Sequence, residues 1–74
     1  MTSDEALELV RALLTAPSEA DLADVISRNL HRCDGIFFAT AARAIEQLHS
    51  EGKPEIAEQL RDVTDSMARM RFLI

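Results

Sequence analysis

Between Asn29 and Thr40 the chain reads NLHRCDGIFFAT, which places His31, Cys33 and Asp34 within four residues of one another. All three side-chain types bind metals, and a thiol beside an imidazole is the core of a cysteine nucleophile. A structural zinc site commonly takes four ligands in two spaced pairs. This stretch offers one thiol and one neighbouring imidazole, and His49 is the only other histidine. Asp34 stands immediately before a helical run, where a carboxylate serves as a cap. A working nucleophile also needs the imidazole set against the sulfur and a third group to orient it. The two-residue offset from His31 to Cys33 supplies neither. The stretch therefore reads as a corner between helices, with Cys33 a small, partly buried apolar residue and the phenylalanines as core anchors. No catalytic, cofactor-binding or metal-ligating residue is expected.

Ser66 offers a different chemistry. The triplet Asp65-Ser66-Met67 is similar to the Asp-Ser-Leu of acyl carrier proteins, and size, acidity and helix count agree with that family. In carriers the serine opens a helix near the middle of the domain, whereas Ser66 falls inside the last helix of this chain. A carrier or enzyme using Ser66 or Cys33 is thus the third of three functional readings. A helix-turn-helix drawn through the middle of the chain would have IFFATAARAIEQL as its recognition helix, with Arg43 as its one cation. Reading base edges requires polar and cationic side chains on that helix, so this is a core helix instead. Two glycines cannot build a phosphate-cradling loop.

Composition narrows the partners. Thirteen Asp plus Glu against eight Lys plus Arg give a net charge of −5, which repels phosphate backbones and anionic membrane surfaces. Neither a nucleic acid nor a membrane is expected as a partner. The run Ile36 to Ala39 is among the longest apolar runs, far below the roughly 18 residues that a membrane span requires. The acidic start MTSDEALEL is unlike the basic head of a signal peptide, and a lone cysteine suits a reducing compartment. The expectation is a cytoplasmic protein. With 47% apolar and 28% charged residues the chain has a globular composition. A domain this small buries only about 60–65% of its unfolded surface, so oligomerisation is a natural source of added stability.

Four helices must position these groups, and no strand pattern persists. The first opens with Thr2 and Glu5 spaced as a capping box, carries Leu7, Val10 and Leu14 on one face widened by Ala6, Leu9 and Leu13, and stops at Pro17. Ser18 caps the second, whose stripe is Leu22, Val25, Ile26 and Leu30, with Asp24 and Arg28 placed to pair outside. It frays over Asn29 to Arg32. Asp34 caps the third, from about Gly35 to Ser50, with Phe38, Ala41, Ile45 and Leu48 inward. Its alanines keep it thin enough for a close neighbour. Gly52 stops it and Pro54 starts the fourth. In that last helix Ile56, Leu60, Val63, Met67, Met70 and Ile74 form a heptad seam.

The segment from LVRALLTAPSEADLADVISRN through FFATAARAIEQLHSEGKPEIAEQLRDVTDSM resembles the short, tetratricopeptide-like helical interaction modules of bacterial multidomain proteins. The leucine run into Ala16-Pro17-Ser18 and the Gly52 turn followed by Ala57 and Leu60 carry the likeness. It implies protein–protein contacts and brings over no catalytic residue. The sequence thus predicts a single all-α domain over residues 1–74, a four-helix bundle built from antiparallel helical hairpins. Its expected role is a non-enzymatic interaction module without cofactor, forming a homodimer, with a further protein partner open. Met67, Met70, Phe72, Leu73 and Ile74 are the expected interface. The alternative is a small acidic regulator, antitoxin- or inhibitor-like, masking a basic partner.

Overall fold

Most helix boundaries trace to local devices in the sequence. The computed structural model describes residues 1–73, and side chains through residue 70. All four helices lie where the sequence places them: α1 (Ser3–Thr15), α2 (Glu19–Asn29), α3 (Gly35–Ser50) and α4 (Pro54–Leu73), with a 3-10 turn at Leu30–Arg32 where α2 was expected to fray. Among the described residues there is no strand. No helix is long and apolar enough to cross a membrane.

The capping box of α1 is complete: the Glu5 N–H donates to Thr2 Oγ1 (3.2 Å) and the Thr2 N–H donates to Glu5 Oε1 (2.9 Å). Both helix-end donors are thereby satisfied. At α2 the Ser18 hydroxyl accepts from the Asp21 N–H and donates to Asp21 Oδ2, so the pair closes on itself rather than on the Ser18 backbone. Asp24 and Arg28 pair across one turn at 3.1 Å. The end of α3 is a Schellman turn: the Lys53 N–H reaches Leu48 O (2.9 Å), the Gly52 N–H reaches His49 O (3.1 Å), and Gly52 has φ 77°. Only glycine enters that conformation at little cost. Pro54 then opens α4, its missing N–H being one the helix start does not use.

The broadest contacts join α3 to α4 and α1 to α3, while α2 lies against α1 and the 3-10 turn. Phe37, Leu60, Met67 and Cys33 are the largest fully buried side chains. Burying each of the first three contributes roughly 1.5–3 kcal/mol.

The buried faces are turned from those the apolar patterns predict. In α1 the centre is Ala6, Leu9, Val10 and Leu13, and Leu7 is 42% exposed. In α3 it is Phe37 and Ala41, with Phe38, Ile45 and Leu48 half-buried beside them. In α4 the buried line is Ala57, Leu60, Thr64 and Met67, whereas Ile56 and Met70 are 40% and 38% exposed. At 100° per residue, the α4 seam is displaced by roughly 60° from the expected one. The reason is size. Ala6, Ala41 and Ala57 are each at most 1% exposed, and small side chains sit where helix backbones come closest. Larger apolar residues are carried to the flanks of those contacts.

Candidate functional site

The corner over Asn29 to Thr40 is built from the end of α2, the 3-10 turn and the start of α3. Cys33 is wholly buried, more so than expected, and joins the core cluster with Phe37 and Leu60. Its thiol donates to the Asn29 carbonyl at 3.3 Å, one turn back along the chain. His31 is exposed on the 3-10 turn. The sulfur thus faces the interior while the imidazole lies at the surface, which is not the arrangement of a base activating a nucleophile.

Asp34 is held from several directions. Its Oδ1 accepts the N–H groups of Ile36 (3.1 Å) and Phe37 (3.2 Å), the cap of α3. Its Oδ2 accepts the Met1 ammonium at 3.0 Å. The Met1 ammonium first, then the Phe37 N–H, hold the carboxyl below its ordinary value. A second polar joint stands beside it. Arg32 Nη2 meets Glu5 Oε2 at 2.7 Å, tying the 3-10 turn to the start of α1. Glu5 is also lowered, chiefly by the Thr2 N–H and then by the Thr2 hydroxyl, with the Arg32 charge adding to it. These carboxylates fasten elements together. Among the described residues no three His, Cys, Asp or Glu side chains converge as a metal site requires.

Ser66 lies inside α4, half-buried, and accepts a long contact from Arg69 Nη2 at 3.5 Å. It is twelve residues from the start of its helix at Pro54, so no helix N-terminus is directed at it. Of the expected interface residues, Met67 is 0% exposed within the chain and belongs to its core, while Met70 is 38% exposed. The side chains of Phe72 and Leu73, and all of Ile74, lie outside the described residues. The structure therefore separates Met67 from Met70, although the sequence groups them.

One feature escaped the sequence reading. An open groove of about 390 Å³ runs between α3 and α4, with Phe38, Ala42 and Ile45 on one wall and Arg61, Asp65 and Ala68 on the other. Its apolar wall consists of residues displaced from the α3 core face. The offset of Phe38 and Ile45 from Phe37 and Ala41 is visible in the sequence once the true centre of the helix is known. None of His31, Cys33, Asp34 or Ser66 lines this groove. Sites for small molecules are concave and converge polar groups on a reacting or bound atom; here Thr64 and the charged Glu46, Arg61 and Asp65 share the lining of an open channel with apolar side chains. Comparison with protein-family models, with characterised proteins and with solved structures finds no match for this chain.

Proposed function

We propose that this chain is a non-enzymatic helical interaction module, a four-helix bundle of two antiparallel hairpins that associates with itself through α4. The observation carrying this reading is the exposure of large apolar side chains. Leu7, Ile36, Ile56 and Met70 are each 38–45% exposed. Meanwhile the polar groups with chemical potential, Asp34, Glu5 and Cys33, are engaged in capping and packing. A contact surface on α4 would join Ile56 and Met70, since contiguous apolar surface, rather than single exposed side chains, marks a contact site. The likeness to short tetratricopeptide-like modules points the same way. Phe72, Leu73 and Ile74 follow Met70 in the sequence, whereas Met67 serves the core.

Sedimentation of the wild type beside a Phe72→Ala, Leu73→Ala double variant tests the proposal. A dimer at tens of micromolar that weakens in the double variant is expected. A wild type that stays monomeric over that range would overturn self-association.

A second reading has an observation of its own. Glu55, Glu58, Asp62 and Asp65 are all exposed on α4 at spacings of three, four and three, which aligns them on its outer face. An acidic regulator would use that face to cover a basic partner, and the complex would weaken steeply with added salt.

A further inference from the structure

The helix α4 carries two heptad lines. The inner one, Ala57, Leu60, Thr64 and Met67, is buried. Beside it run Ile56, Gln59, Val63, Ser66 and Met70, at spacings of three, four, three and four. Gln59 is exposed, Val63 and Ser66 are half-buried, and Ile56 and Met70 are 40% and 38% exposed. No member of this outer line is charged, in a chain that is 28% charged with a net charge of −5. Along one edge of it stand Asp62 and Arg69, each directly preceding an apolar member. Both are exposed, and neither forms an ion pair with another described residue.

We propose that the outer line is the docking surface for a second copy of this chain, with the two α4 helices antiparallel about a two-fold axis and Asp62 of each protomer against Arg69 of the other. This rests on self-association as the function and names its surface and register. In an antiparallel pair the a positions of one helix face the d positions of the other. With Ile56, Val63 and Met70 as a and Gln59 and Ser66 as d, Val63 meets the partner's Ser66 and Gln59 meets the partner's Met70. The residue before each a position then faces the residue three beyond the opposing d position. For Val63 and Ser66 these are Asp62 and the partner's Arg69, and symmetry makes the contact twice. A parallel pair would instead bring Asp62 to the partner's Met67, an apolar residue that offers it no opposite charge.

Charge selects a second copy as the occupant. Two bodies of net charge −5 repel, so they meet best along a line without charge. Among the described side chains the charges directly before the a positions of that line are Glu55, Asp62 and Arg69, and the last two are complementary to each other under a two-fold. In this register the paired residues run from Gln59 to Met70, eleven residue steps and a contact of roughly 17 Å at 1.5 Å per residue. An interface of that length is small, and dimerisation is measured across the micromolar range.

The test uses the full chain at about 0.1 M salt, where exposed charges still act across an interface. Dimerisation of Asp62→Arg and of Arg69→Asp is measured by sedimentation equilibrium, each alone and then mixed in equal amounts. Each variant alone places like charges in both contacts and is expected to dimerise roughly tenfold more weakly than the wild type. The mixture restores two opposite-charge contacts, so the two variants should associate with each other to within about threefold of wild-type affinity. Unchanged circular dichroism of both variants confirms that folding is intact, as expected for exposed positions. A monomeric wild type would defeat self-association altogether. A wild-type dimer that is indifferent to the single changes, or variants that fail to associate on mixing, would defeat this surface and register while leaving self-association in place.

Discussion

The helices α2 and α4 are both amphipathic, yet they hold the molecule together in different ways. Among the described side chains four residues of α4 are buried, whereas α2 has none. Leu22, Val25 and Ile26 of α2 are only half-covered. The difference lies in small residues. Ala57 in α4 meets the inward face at 0% exposure, as do Ala6 in α1 and, at 1%, Ala41 in α3. The alanines of α2, Ala20 and Ala23, are exposed on its outer side. Its inward face is made of bulky side chains, with no small residue among them. An apolar stripe states which face turns inward; the small residue in it sets how close the helix comes.

Truncating the two kinds of contact should separate them most. Phe37 is 0% exposed at the centre of the core, and Phe37→Ala is expected to cost about 4 kcal/mol. That is a large fraction of the total stability of a domain this size, about 4–11 kcal/mol. Ile26→Ala in α2 removes a half-buried side chain and should cost about 1 kcal/mol. Urea denaturation of both variants checks the ratio. Similar losses would mean that α2 is as integral as α3.

Enlarging the small residues is the sharper probe of the explanation. Ala57→Leu inserts three carbons into a fully buried contact and should destabilise by about 2 kcal/mol. Ala23→Leu, on the exposed side of α2, should stay within about 0.5 kcal/mol of the wild type. If Ala57→Leu melted at the wild-type temperature, close approach would not be what orders these helices.

The smallest effect concerns the joints that hold the corner below α2. Asp34 and Glu5 are both lowered from their ordinary values by partners in the folded state. A carboxyl lowered on folding stabilises fully above its unfolded pKa of about 4, and that contribution drains away as pH falls through the folded value. Acidification from pH 6 to pH 3 should therefore loosen the α1-to-corner joints before the α3–α4 contact, which rests on apolar packing. Amide hydrogen exchange would show faster opening at the start of α1, the 3-10 turn and the first turn of α3, which Asp34 caps, than in the middle of α3 and α4. Asp34→Asn keeps an oxygen for the cap without a titrating charge, so its stability should vary less between those pH values. An equal acid slope in that variant would remove Asp34 from the account.

What the sequence by itself determined is everything local. The Thr2–Glu5 box, the Ser18 and Asp34 caps, the Gly52 stop and the Pro54 start all act within a few residues of themselves. Their chemistry is complete before any helix meets another, which is why the helix boundaries were legible. The polar character of the corner was legible for the same reason, since the Asp34 cap depends only on its neighbours in the chain. The choice of buried face was not. Ile56 is more apolar than Ala57 and Leu7 more than Ala6, so a reading weighted by hydrophobicity centres on the larger residue of each pair. Only the meeting of two helices selects the smaller one, because the distance between backbones is a property of both partners. The separation of Met67 from Met70 has the same origin. One turn of a helix joined them in the sequence, and the position of α3 put the first inside and left the second at the surface.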